Sequence, residues 1–194
     1  MILSNVEIQR ALDEGRLAIA PEPTPRKKGM MDKYCPYDTH TVDLRLGSEI
    51  TVPNASACAY DFLAPGGIAD LISKNSTKHT LEKHRPYHLE PNEFILAQTL
   101  EKITLPTNKG TPVLGARIEG KSSRARCGLL VHFTAPTVHP GWDGPLTLEI
   151  INLGKTPFLL HKGMPIAQLI IEQVFGEIEL NPSQFQSQKT PEGI

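Results

Sequence analysis

Cysteine is scarce in this chain: Cys35, Cys58 and Cys127 are three in number, widely spaced and outside any CxxC pair. An odd, scattered set excludes a disulfide framework and a cysteine-rich zinc site, and it fits a reducing compartment. An excess of one charge is also lacking, since 20 basic and 21 acidic residues leave a formal net charge of -1. No chain-wide field therefore draws a nucleic-acid backbone, and any phosphate binding has to be local. Long apolar runs are missing as well. The opening MILSNVEIQRALDEGRL carries charges every few residues and nothing approaching secretory or membrane length, so the expectation is a cytosolic protein with neither a nucleic-acid nor a membrane partner.

What is present is enough for one domain spanning 1–194, because 194 residues bury a core without metal or disulfide staples. Ser4 followed by Glu7 resembles a capping box, Val6, Ile8, Leu12 and Leu17 supply apolar positions, and Gly15 offers a stop, which predicts a short N-terminal helix. Residues 21–40, rich in Pro, Lys and Gly, read as a loop or insertion that could move. Strand-length runs follow, punctuated by Pro and Gly: THTVDLRLG, EFILAQTLEKITLP, GLLVHFTAP, PLTLEIINLG and FLLHKGMPIAQLIIEQVF. This pattern predicts an all-β sandwich or barrel, with Lys162-Gly163 as the turn of a hairpin. From about residue 177 to 194 the chain is polar, and a tail that orders only against a partner or ligand is expected.

The chemistry concentrates between residues 117 and 171. EGKSSRARCGLL offers backbone amides, the hydroxyls of Ser122 and Ser123, and the cations Lys121, Arg124 and Arg126 within a few residues, a set suited to a polyphosphate. In a helical turn Ser122 and Arg126 share one face while Arg124 points elsewhere. Gly115 and Gly120 have P-loop spacing, yet GARIEGKS lacks the strand-then-glycine-rich-loop context, and by composition alone a solvated basic turn accounts for the segment more simply. Further on, Leu146, Leu148 and Ile150 alternate with Thr147, Glu149 and Ile151. Glu149 thus lies opposite the aliphatic face, where an isolated strand glutamate usually meets solvent.

GKSSRARCGLLVHFTA, HPGWDGPLTLEIINLG and GMPIAQLI, in this order and spacing, resemble the dCTP deaminase family of the trimeric dUTPase-like superfamily. The similarity extends to VDLRLG at 42–47 and, more loosely, to the opening helix and the QFQSQ tail. The resemblance implies a mainly β, distorted antiparallel barrel or jelly roll of the dUTPase-like (β-clip) type, homotrimeric, with active sites at subunit interfaces. It implies zinc-independent deamination of dCTP to dUTP and ammonia, with Glu149 as general base and Ser122 and Arg126 shaping the site around it. Lys121, Ser123 and Arg124 would hold phosphates, Ala135 would stand beside the cytosine, His139, Thr147 and Leu148 would line the nucleotide, and Gln188 would close over it. Magnesium is implied only as the counter-ion of the triphosphate, and dTTP as a feedback inhibitor. The H-x-E and P-C-x-x-C segments of a zinc deaminase do not occur.

The sequence departs from the family pattern at His139, where an aspartate usually precedes the Pro-Gly-aromatic turn. In the dUTPase relatives that aspartate helps water attack the phosphate chain, so the histidine favours a deaminase that stops at dUTP over a bifunctional enzyme releasing dUMP. His139 either meets the deoxyribose 3'-hydroxyl, or serves as a base, or is a plain loop histidine. In the tail, Gln184 and Phe185 replace a common lysine and tyrosine. A catalytically silent nucleotide-binding trimer is the reading from another class, and a retained general base argues against it. His79, His84 and His88 read as surface residues, His132 as packed or hydrogen-bonded, Trp142 as an anchor of its turn or of the trimer interface, and Cys127 as a small buried apolar residue.

Overall fold

The computed structural model describes residues 1–31, 34–55, 59–60, 68–108, 110–181, 183 and 185–193; Cys58 and Gln184 lie outside this set. The N-terminal helix is α1 (Asn5–Asp13), capped by the Ser4 side chain, which accepts from the Glu7 amide at 3.4 Å. Gly15, at φ +69, ends it in a conformation that glycine adopts without strain. Ile8 and Ala11 are its buried face.

After α1 come β1 (Ala18–Ala20), β2 (Thr41–Pro53), α2 (Ile68–Lys74), β3 (Ser76–Thr80), β4 (Tyr87–Leu89), β5 (Phe94–Thr104), β6 (Leu114–Gly120), α3 (Ser122–Ala125), β7 (Leu129–Val131), β8 (Thr137–Val138), β9 (Asp143–Asn152), β10 (Phe158–Leu160) and β11 (Pro165–Gln173). The main sheet is antiparallel and runs β7-β9-β5-β2-β11-β6-β8, with β1 added to β5 and β3 added to β2. It curls until its ends approach: a Cβ at Gly120 of β6 would stand 3.6 Å from the Val131 carbonyl oxygen of β7. Inside the curl Leu44, Leu46, Ile50, Ile95, Ile103, Leu148 and Ile150 are at most 1% exposed. Each such side chain contributes about 1.5–3 kcal/mol through burial.

The sheet corrects the expected hairpin at Lys162-Gly163. A turn exists there, with Gly163 at φ +80 and the Met164 amide donating to the His161 carbonyl, but β10 pairs with β4 while β11 lies between β2 and β6. The described residues of 21–40 form the expected loop, fastened by ion pairs and a hydrogen bond. The Arg26 guanidinium binds Glu22 at 2.5 Å and Asp13 at 2.6 Å, and the Tyr37 hydroxyl donates to Glu22 at 3.1 Å, tying this segment to the end of α1. The P-loop-like spacing resolves as strand: Gly115 and Gly120 both belong to β6, so the residues between them form no phosphate loop.

Candidate active site

Strand β9 alternates half-buried with buried residues along its length, because one face packs into the core and the other lines a cavity. Thr147 and Glu149 therefore reach the same cavity, while Leu148, fully buried in the core, does not lie on its wall. The cavity is about 340 Å³, and its wall includes His132, Ala135, His139, Trp142, Thr147, Glu149, Gln188 and Glu192. Four sequence-derived candidates, Ala135, His139, Thr147 and Gln188, thus share it with Glu149.

The chain between β7 and β8 wraps the carboxylate of Glu149. The Phe133 amide donates to Glu149 Oε2 at 3.1 Å, and the His132 amide donates to the Glu149 carbonyl at 2.8 Å. His132 adopts φ +70, uncommon for a residue with a Cβ, and its ring turns inward with 9% of the side chain exposed. Its Nε2 sits 2.7 Å from the Ala135 carbonyl oxygen, so Nε2 carries the proton and donates. Nδ1 then faces Glu149 Oε2 across 3.9 Å and is buried without a hydrogen bond. His132 is packed, as its strand-like context suggested, and it also belongs to the site, which its sequence context did not reveal.

The HPGW turn closes the far side. Gly141 sits at φ +85, its amide donates to Leu105 O, and the Trp142 amide donates to His139 O at 3.2 Å. Trp142 anchors this turn, its indole Nε1 donating to Gly144 O at 3.0 Å. His139 is exposed at the rim.

The other candidates form a separate group on α3. This single turn is held by bonds from the Arg124 and Ala125 amides to Lys121 O and from the Arg126 amide to Ser122 O. Ser122, Ser123 and Arg126 are exposed, whereas Arg124 turns away and donates to Pro165 O at 2.8 Å, as the helical spacing predicted. The Lys121 ammonium binds the buried carboxylate of Asp43, which also accepts from the Tyr34 hydroxyl at 2.5 Å. None of the α3 residues lies on the wall of the cavity that holds Glu149.

Two glycines fix where α3 stands. Gly128, at φ +98, packs so tightly that a Cβ would lie 2.5 Å from the Gly154 amide nitrogen, and a Cβ on Gly154 would lie 2.5 Å from Cys127 O. Asn152, wholly buried, holds the facing turn by accepting from the Gly154 amide and donating to Leu89 O and Thr156 O. Cys127 is exposed in this arrangement, contrary to the expected buried position, because the α3 turn places it outside the sheet. His79 and His88 lie on the exposed edges of β3 and β4, and His84 is also exposed. Among the described residues no three of His, Cys, Asp and Glu converge as metal ligands, and no helix is long and apolar enough to cross a membrane.

The described residues of the C-terminal tail pack on their own chain. Gln188 is 6% exposed and donates to Pro145 O at 3.0 Å, Gln186 donates to Gly141 O at 2.7 Å, and Thr147 Oγ1 donates to Pro191 O at 3.2 Å. The tail thereby covers one side of the cavity. Its polar composition hid this, because backbone carbonyls rather than aliphatic contacts receive it.

Comparisons with known proteins identify the family. Residues 2–174 match the family model described as dCTP deaminase-like. A dCTP deaminase of Pectobacterium atrosepticum is 38% identical over 182 residues, covering 91% of this chain and 86% of the relative. One from Rhodospirillum rubrum is 36% identical over 174 residues, covering 89% and 82%. A relative named dCTP deaminase, dUMP-forming, from Methanosphaera stadtmanae is 36% identical over 171 residues, covering 88% and 78%. In fold, the chain is similar to the crystal structure of 2'-deoxycytidine 5'-triphosphate deaminase from Agrobacterium tumefaciens, at TM-score 0.60 and 19% identity, covering 89% of this chain and 48% of that one. The chain belongs to the dCTP deaminase-like family.

Proposed function

We propose that this protein hydrolyses the exocyclic amino group of dCTP, giving dUTP and ammonia, with Glu149 as general base. The observation that carries the reading is the seat of Glu149, a carboxylate fixed by the Phe133 amide on the wall of a cavity within a chain of the dCTP deaminase-like family. Water adds to C4 of the ring while Glu149 takes a proton from it. Glu149 then returns that proton to ring N3, takes the proton of the new C4 hydroxyl and passes it to the amino nitrogen, so that ammonia leaves as the C4 carbonyl forms. The Ala135 carbonyl, already engaged by His132, belongs to a segment whose backbone reads the ring edge.

Ser122 and Arg126 lie outside the cavity wall of their own chain, and this supports a homotrimer in which α3 of a neighbouring copy completes each site. Arg126 would then hold the carboxylate and the developing charge, and Ser122 would orient the water or the amino group. Ser123, with Lys121 and Arg124 behind it, would meet the phosphates. Magnesium would neutralise phosphate charge, held by the triphosphate oxygens, since the described residues present hydroxyls and cations on α3 rather than converging carboxylates. Such an enzyme would work in the cytoplasm, and dTTP, sharing the sugar and triphosphate, would compete for the same cavity.

His139 on the rim favours a reaction that stops at dUTP, although one relative is named dUMP-forming. The test is to incubate the purified protein with dCTP and magnesium, with and without a zinc chelator, and resolve nucleotides and ammonia over time. dUTP and ammonia in equal amounts, unaffected by the chelator, are expected. Unchanged dCTP would remove the reading, and dUMP with pyrophosphate would replace it by the bifunctional one.

A further inference from the structure

Glu192 is 2% exposed, although it stands in a polar tail, two residues before Ile194. A buried carboxylate is costly unless hydrogen bonds or an opposite charge compensate it. Here both do: Glu192 Oε1 accepts from Thr51 Oγ1 at 2.9 Å and binds Lys78 Nζ at 3.0 Å. Thr51 of β2 and Lys78 of β3 are directly paired across the two strands, so their side chains rise on the same face and converge on one oxygen. The part of the compensation that Thr51 and Lys78 supply is built into the sheet register, while Oε2 is buried without a hydrogen bond.

On the other side of the cavity the same tail is held by β9, through Gln188 on Pro145 O and Pro191 O on Thr147. The tail therefore spans the cavity between two attachments. One consists of neutral hydrogen bonds to β9 and to Gly141 of the adjoining turn, and the other is the charged contact of Glu192 with the β2–β3 pair. Among the described residues of the last eleven positions only Gln188, Pro191 and Glu192 are buried, so few apolar contacts supplement these bonds.

We infer that Glu192 is a positioning residue that seats the C-terminal tail over the nucleotide cavity, using Thr51 and Lys78 as its receptor and thereby fixing Gln188 against the substrate. The role in catalysis rests on the proposed deamination, whereas the anchor itself does not. Glu192 touches no reacting atom in this account. It sets how tightly the cavity is closed, and so acts on substrate affinity more than on the chemical step.

The test uses the full-length protein and the substitutions E192Q, K78A, K78R and the double variant E192Q/K78A. Lys78 is half exposed, so its replacement leaves the core intact. Limited trypsin digestion reports release of the segment after Lys189 by mass spectrometry, and dCTP kinetics report KM and kcat separately. E192Q and K78A are each expected to speed that cleavage and to raise KM by about tenfold, the lower end of what one hydrogen bond to a charged group is worth, with kcat altered much less. K78R is expected to restore both, and the double variant to be no worse than the weaker single one. Cleavage and KM within twofold of the parent in E192Q would overturn the inference, as would additive effects in the double variant. If the parent protein fails to deaminate dCTP, the proposed function falls, while cleavage after Lys189 still decides whether Glu192 anchors the tail.

Discussion

Glu149 and His132 are joined twice: the His132 amide donates to the Glu149 carbonyl at 2.8 Å, and His132 Nδ1 faces Glu149 Oε2 across 3.9 Å. The first contact extends the β7–β9 pairing by one residue, so the strand pairing itself delivers the imidazole to the carboxylate. With Nε2–H committed to Ala135, the ring links the proposed general base to the backbone expected beside the pyrimidine.

The separation of α3 from the cavity leads to a complementation experiment. S122A and R126A are each expected to lower kcat by about 10²–10³-fold, the range for a donor that stabilises developing charge. Mixing either variant with E149Q under conditions of subunit exchange should recover part of the parent activity, because some mixed sites then pair an intact Glu149 with an intact α3. No recovery despite verified exchange would place a complete site in one chain.

Gly128 is the structural hinge of that arrangement. With φ +98 and Gly154 N only 2.5 Å from an added Cβ, G128A forces the α3–β7 turn away from the β9–β10 turn. A loss of about 2–4 kcal/mol is expected, since both backbone strain and a clash with backbone oppose the substitution. The urea midpoint checks it, and a midpoint unchanged from the parent would contradict the packing described.

The proposal that His139 stops the reaction at dUTP is tested by H139D, which is expected to convert supplied dUTP to measurable dUMP and pyrophosphate, whereas the parent is expected to leave dUTP intact. Separation of nucleotides by ion exchange decides it, and dUTP release unchanged by H139D would assign the choice of product to another residue.

Acid stability has a defined sign at Asp143. Hydrogen bonds from Lys102 and Thr104 hold its carboxyl below the ordinary value of 3.8, outweighing a small upward effect of burial. A carboxylate with a depressed pKa contributes stability that is present above its unfolded value and lost as pH falls through the folded one. The thermal midpoint should therefore fall more steeply in the parent than in K102M as pH drops below 3.8. Equal slopes would show that the Lys102–Asp143 pair contributes nothing.

The long strands were legible because their side chains obey local rules. β2, β5, β9 and β11 carry enough Val, Ile and Leu to declare themselves, and α1 is announced by Ser4 and Gly15. β6 was hidden, since LGARIEG mixes glycine with charge and its burial comes from neighbours β11 and β8 that are distant in sequence. The supposed β10–β11 hairpin failed for the same reason, as both strands found stronger partners elsewhere. At the site, alternation put Glu149 and Thr147 on one face, and family resemblance supplied Ala135, His139 and Gln188. Glu192 escaped notice because a carboxylate near a polar terminus looks solvated until Thr51 and Lys78 are brought beside it by the β2–β3 register.

The most direct test of the central claim is the E149Q substitution, measured for both deamination and nucleotide binding. The amide keeps the shape of the side chain and removes its capacity to take a proton from water. Deamination of dCTP is expected to fall by at least about 10³-fold while the dissociation constant for dCTP changes less than about threefold, as for loss of a general base with binding intact. Turnover within tenfold of the parent would contradict the assignment of Glu149 and with it the proposed mechanism.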